Sequence, residues 1–170
     1  MKRVILIIIF FIIPVKAVDI SITIDDHPLG TGGIFSTEER TSKFVEACKN
    51  HNTKAVFFCI GSNYIYNDQD SLSLLAQNGH FLANHSFNHD HLSEYSLMRF
   101  EKEIIMTEQV LNFYGTSKWF RYPFLDYGNK ESLGGSQEKM IQSYKRLREL
   151  GYAEGYVSIN TFDWHIESRL

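Results

Sequence analysis

From Asp19 onward the chain alternates short apolar runs with amphipathic segments of helical period, and this alternation limits what it can fold into. Asp19 to Ile24 is rich in Ile and alternates like a strand. Lys54 to Ile60 is a continuous apolar strand ended by Gly61, and Phe81 to Ala83, Lys118 to Arg121 and Tyr156 to Ile159 are shorter strand-like runs. The first predicted helix opens on the capping box Ser36-Thr37-Glu38-Glu39 and runs to about Asn50. A second spans Ser71 to Asn78 and stops at Gly79. Ser96 to Tyr114 is the longest, with Leu97, Phe100, Ile104 and Leu111 at helical spacing, and Gln137 to Leu150 is closed by Gly151. Strand-helix alternation with short connections implies α/β architecture with parallel strands and right-handed crossovers. A barrel and an open doubly wound sheet both satisfy it. Four polar motifs fall just after predicted strands, where α/β barrels build their active sites.

A chain of 170 residues suffices for one domain with one sizeable core, and 44% hydrophobic content with 13 Phe and 9 Tyr is globular. Residues 1–17 read as a signal peptide: Lys2-Arg3, the apolar run Val4 to Ile13, a break at Pro14, and the cleavage-site-like Val15-Lys16-Ala17. Ten apolar residues are too few to span a bilayer comfortably, so no stable membrane span is expected after cleavage; an uncleaved anchor is the alternative. The expected mature domain is 18–170, secreted or periplasmic. Cleavage removes three of the 17 basic residues against 20 acidic ones and takes the net charge from −3 to −6. That balance argues against nucleic acid or an anionic membrane surface as the main partner. Cys48 and Cys59 lie in a predicted helix and the next predicted strand and are expected to be buried free thiols.

Thr23-Ile24-Asp25-Asp26-His27 places two carboxylates at the end of an apolar strand. They are costly to bury without partners, so one reads as a metal ligand and one as a base; a turn with two solvated aspartates is the alternative. His85-Ser86-Phe87-Asn88-His89 follows the third strand, with an i,i+4 histidine pair that faces one way on a helical turn. Two His and one Asp match the three protein ligands of hydrolytic zinc sites. Two His and one carboxylate also make a non-haem iron site, which metal analysis separates from zinc. His91 reads as solvated and His80 as a loop residue that helps hold its turn. Arg121-Tyr122-Pro123-Phe124 offers a guanidinium fork for a carboxylate and a stiffened loop. Thr161-Phe162-Asp163-Trp164 puts an indole at a loop tip.

In this order the four motifs resemble the NodB-type polysaccharide deacetylases, carbohydrate esterase family four, with patterns T-F-D-D-G, H-[S/T]-x-x-H, R-x-P-Y and D-x-x-D-W. The chain departs from them at Ile24, His27, Phe124 and Asn160. The resemblance covers about Ile20 to Trp164. It implies a (β/α) barrel and a metal-dependent hydrolase that removes acetyl groups from N- or O-acetylated polysaccharide. It also implies that Asp26, His85 and His89 hold the metal, usually zinc, and that Asp25 is the general base, oriented by Arg121. The Phe124 backbone amide would meet the oxyanion, Asp163 would tune the catalytic acid, and Trp164 would line the groove.

The family's fifth motif, L-x-H, supplies the acid for the leaving group, and no such motif follows Trp164. The resemblance therefore implies an incomplete barrel lacking its C-terminal part. The alternative function is a catalytically impaired remnant that binds metal or glycan.

Overall fold

The computed structural model describes residues 19–27, 35–65 and 69–162. The expected signal peptide, Asp163 and Trp164 lie outside the described residues. Five strands and four α-helices alternate: β1 Ile22–His27, α1 Thr37–Asn50, β2 Ala55–Cys59, α2 Gln69–Gln77, β3 Phe81–Asn84, α3 Leu97–Leu111, β4 Thr116–Phe120, α4 Gln137–Glu149 and β5 Ala153–Glu154. All pairings are parallel, and the sheet order β1-β2-β3-β4-β5 equals chain order. This is the expected α/β architecture of successive strand-helix units. Among the described residues no helix is long and apolar enough to cross a membrane.

β2 explains the layering. Its five residues are all buried, as a central parallel strand covered on both faces requires. Ala55, Phe57 and Cys59 face the helices and pack with Val45 of α1, Leu72 and Leu75 of α2, and Leu82. Val56 and Phe58 point the other way and meet Ala83. A second helix-side cluster joins Phe100 and Ile104 of α3, Phe120 of β4 and Leu147 of α4. Both cysteines are free and buried, and burial pushes the Cys59 thiol up to about 12, so it is a packing group.

The capping box stands: Ser36 Oγ accepts from the Glu39 amide at 3.2 Å, and the Ser36 amide donates to Glu39 Oε2 at 2.8 Å. Three expectations shift. The first strand runs to His27, three residues beyond Ile24, because a bulge carries the polar Asp25-Asp26 pair inside the ladder. The α-helical part of the longest helix stops at Leu111 and tightens into a 3-10 turn at Asn112–Tyr114. The fifth strand is Ala153–Glu154 instead of Tyr156 to Ile159; Tyr156 and Ile159 are 73% and 81% exposed. Ladder pairing with Trp119 and Phe120 selects two residues of low strand propensity over the more apolar ones beyond them.

Candidate metal centre

The site is assembled at the C-terminal ends of β1, β3 and β4. In the β1–β2 ladder Ile24 pairs with Phe57 and His27 with Cys59, so three steps on β1 match two on β2. Asp26 takes up the extra residue with φ 58°, a left-handed conformation. A regular strand would point Asp25 and Asp26 to opposite faces. The bulge lets both carboxylates approach ligands drawn from the other strands.

The His85–His89 segment is a folded loop and not the helical turn expected from i,i+4 spacing. Ser86 and His89 both have positive φ, 64° and 58°, which breaks any helix. Local hydrogen bonds hold it. Asn84 Oδ1 accepts from the Ser86 amide at 3.0 Å, and Ser86 Oγ accepts from the His89 amide at 3.1 Å. Glu103, buried on α3, accepts from the Phe87 amide at 3.0 Å, the Asn88 amide at 2.7 Å and Asn88 Nδ2 at 2.7 Å. Nothing in the chain pattern around Glu103 announced this role, since it reads as an ordinary polar position in α3.

Asp26, His85 and His89 converge, with one ligand atom from each within 4.8 Å of the others. Asp26 Oδ1 lies 3.1 Å from His85 Nε2 and 2.9 Å from His89 Nε2. His85 Nδ1 contacts the Arg121 carbonyl at 2.8 Å. A carbonyl only accepts, so Nδ1 carries a ring proton, and Nε2, aimed at Asp26, is a bare lone pair in the neutral form of the ring. Asp26 Oδ1 is buried and accepts no hydrogen bond. Burial alone would raise the Asp26 carboxyl; the close His85 and His89 ring nitrogens outweigh it wherever they carry protons and hold the group well below the usual carboxylate range. Either two imidazolium protons or one cation relieves this crowding of lone pairs. Donors about 2.0–2.1 Å from a tetrahedral zinc lie roughly 3.3 Å apart, and the two separations from Asp26 Oδ1, 3.1 Å and 2.9 Å, are within a few tenths of an ångström of that. The donor set therefore fits a divalent metal of the zinc type.

Asp25 has a different partner. Arg121 Nη1 donates to Asp25 Oδ1 and, at 2.9 Å, to Thr23 Oγ1. Arg121 Nε donates to the Gly155 carbonyl at 2.7 Å, and the guanidinium lies over the Phe58 ring at 4.0 Å. The Arg121 side chain is 3% exposed, so this ion pair is only partly screened, while Asp25 at 39% still faces solvent. Gly155 permits the arrangement: a Cβ there would sit 2.3 Å from Phe58 Cζ. The residue that follows β5 thus contributes a carbonyl that clamps Arg121, a contact invisible in the chain pattern.

Phe124 sits in a 3-10 turn at Pro123–Leu125 with φ 56°, and its ring is 52% exposed. It packs on His89 with centroids 4.5 Å apart and stacks on His91 at 4.0 Å. His91 is therefore not simply solvated; its Nδ1 is 3.2 Å from Asp126 Oδ2. Asp126 is fully buried and also accepts from the Ser93 amide at 3.1 Å, Ser93 Oγ at 2.7 Å and the Gly128 amide at 3.0 Å. Burial raises its carboxyl, and the Ser93 and Gly128 bonds outweigh that and lower it. His80 does hold its turn: its Nδ1 accepts from the Ala55 amide at 3.2 Å. Asp163 and Trp164 lie outside the described residues.

Known proteins give this geometry a context. The chain is 30% identical over 99 residues to the peptidoglycan-N-acetylglucosamine deacetylase of Bacillus cereus, covering 58% of this chain and 33% of that protein. It spans about a third of the length of that curated relative. The family 4 carbohydrate esterase from Streptomyces lividans, solved in complex with acetate, superposes with a TM-score of 0.65 at 22% identity, over 85% of this chain and 65% of that one. A CE4 family pseudoenzyme from Bacillus anthracis superposes with a TM-score of 0.66 at 18% identity, over 85% and 45% of the two chains. These likenesses in structure fix the fold as that of the CE4-type (β/α) barrel. The polysaccharide deacetylase family model matches residues 13–148, most of the chain. With the fold, the sequence match and the order of its polar motifs in agreement, this chain belongs to the polysaccharide deacetylase family.

Proposed function

We propose that the chain is a metal-dependent hydrolase that releases acetyl groups from N- or O-acetylated polysaccharide, with zinc as its metal. One observation carries this reading: a carboxylate paired with a buried arginine, Asp25, stands next to the Asp26, His85 and His89 donor set. Asp26, His85 and His89 would hold a divalent cation, which would supply an acidified water and a polarising charge for an acyl carbonyl. Asp25 accepts the proton of the attacking water, and its pairing with Arg121 keeps it aimed. The backbone amide of Phe124 donates to the oxygen that gains negative charge, and the left-handed turn at Phe124 sets that amide's direction. The exposed Phe124 ring forms an apolar wall beside His89. Asp163 and Trp164 complete the proposal as the residue that tunes the acid and the groove-lining indole. The B. cereus relative, named as a peptidoglycan-N-acetylglucosamine deacetylase, supports an acetylated glycan as substrate. We assign the chain outside the cytoplasm, secreted or periplasmic, on the strength of residues 1–17.

The test is acetate release from acetylated chitin oligomers, peptidoglycan and xylan by zinc-loaded protein, with Asp25→Asn as the control. Release by the wild type and its loss in the variant is the expected result; equal release by both proteins refutes the assignment. The fold shared with a pseudoenzyme from B. anthracis favours a second reading, a chain that binds metal or glycan without turnover. Glycan binding by zinc-loaded protein with no acetate released from any of the three substrates would select it.

A further inference from the structure

We propose that His27 is a positioning residue that locks the β1 bulge in register and thereby aims Asp26 at the metal; the proposal rests on the metal reading above. His27 is the residue at which β1 rejoins the ladder, opposite Cys59. The bulge shifts the strand's alternation by one position. Ile24 packs toward the helix-side core, Asp25 and Asp26 both serve the site, and His27 returns to the helix side. Without the bulge, period-two alternation would send Asp26 to the helix side and His27 to the other. Whatever fixes the face of His27 therefore fixes the face of Asp26.

His27 is fixed from two sides. Its ring is buried against Phe57, edge to face at 5.1 Å, and lies parallel to Tyr64. Nδ1 is 2.6 Å from Tyr64 Oη, and Nε2 is 3.1 Å from Thr41 Oγ1. Thr41 Oγ1 donates its one proton to the Thr37 carbonyl at 2.9 Å, so it accepts from His27. The proton therefore sits on Nε2, and Nδ1 accepts from Tyr64. One neutral imidazole ties β1 to α1 through Thr41 and to the 3-10 turn Gly61–Tyr64. A slipped register would leave the Tyr64 hydroxyl and the Thr41 oxygen without these bonds inside the core. The same backbone carries Asp26 at φ 58°, a conformation that persists only where its surroundings enforce it.

The test titrates the full chain with cobalt(II) alone and follows the d–d absorption, alongside thermal unfolding of the metal-free protein. His27→Leu keeps bulk but loses both bonds, Tyr64→Phe removes only the donor to Nδ1, and His27→Gln restores one donor and one acceptor. The expected result is cobalt affinity lower by about tenfold or more in His27→Leu and Tyr64→Phe, with an altered d–d band, and recovery toward wild type in His27→Gln. Lower melting temperatures with unchanged cobalt affinity and spectrum would overturn the positioning role and leave His27 a packing residue. No cobalt binding by the wild-type chain would overturn the metal reading itself.

Discussion

Asp126→Ala measures how firmly the loop that presents Phe124 is held. The Asp126 carboxylate lies in the interior with no solvent exposure and, besides the part-exposed His91 Nδ1, receives three buried donors: the Ser93 amide, the Ser93 hydroxyl and the Gly128 amide. Truncation leaves all three buried without an acceptor, at roughly 1–3 kcal/mol each, with water in the vacated space offsetting part of it. A net loss of about 4 kcal/mol is expected. Asp126→Asn keeps one oxygen for Ser93 Oγ and Gly128 but turns an amide toward the Ser93 N–H, and is expected to lose about 2 kcal/mol. At a urea m value of about 2 kcal/mol/M, these losses shift the unfolding midpoint by about 2 M and 1 M. The carboxyl is lowered in the folded protein, so its stabilisation is complete above the unfolded value of about 3.9. As pH falls below that value the unfolded chain takes up the proton first, and the stabilisation is lost through the folded value. The wild-type curve should therefore fall more steeply in that acid range than that of Asp126→Asn. Tryptophan fluorescence during urea unfolding at pH 7 and pH 3 gives both results. An Ala midpoint within about 0.5 M of wild type at pH 7 would show that the buried carboxylate does not hold the loop, and the hydrogen-bond reasoning fails.

Arg121→Lys replaces a fork that reaches Asp25, Thr23 and Gly155 with one ammonium, and acetate release should fall about 10–100-fold at saturating substrate. Gly155→Ala drives a methyl into Phe58 beneath the same guanidinium; turnover should fall about tenfold, with about 1–3 kcal/mol lost in urea unfolding. Burial first, and the Lys54 charge second, keep His80 neutral by lowering its pKa, so the stability it adds is full above about pH 6.5 and drains as pH falls toward the folded value. His80→Leu should cost about 1 kcal/mol at pH 7 by freeing the Ala55 amide and should flatten the stability curve below pH 6.5, as read by thermal unfolding at several pH values. Glu103→Gln removes the charge that grips the Phe87 and Asn88 amides, and cobalt affinity should drop about tenfold.

Chain pattern and structure agree where one residue's neighbours in sequence decide its environment. Ser36 and Glu39 cap α1 as their spacing requires, and the unbroken apolar run of β2 is buried on both faces. They part where a distant strand decides. Ala153–Glu154 becomes β5 only because β4 offers a ladder, while Tyr156 and Ile159, the better strand formers, stay exposed. The site shows the same division. Asp26, His85 and His89 announce themselves by residue type, and the structure brings them together. The i,i+4 spacing suggested a helical turn, yet Asn84, Ser86 and Glu103 fold those residues into a loop by bonds that spacing does not encode. Asp126 and Glu103 act from positions with no pattern of their own. His27 was visible only as a departure from the family motif, and its meaning needed the register of the β1–β2 ladder.

The identity of sheet order and chain order bears on the order in which the protein can fold. Each strand pairs with the one before it in sequence, so the polypeptide can add units one after another without waiting for a distant partner. The functional parts then mature in sequence. The metal donors are all present once β3 has docked, Arg121 reaches Asp25 only with β4, and the Gly155 carbonyl that clamps Arg121 comes last with β5. A chain folded only through β3 would already own the three donors while lacking the arginine that pairs with Asp25. On the function proposed above, metal capture and catalytic competence are therefore separable steps of folding, set by residues several dozen positions apart in the chain.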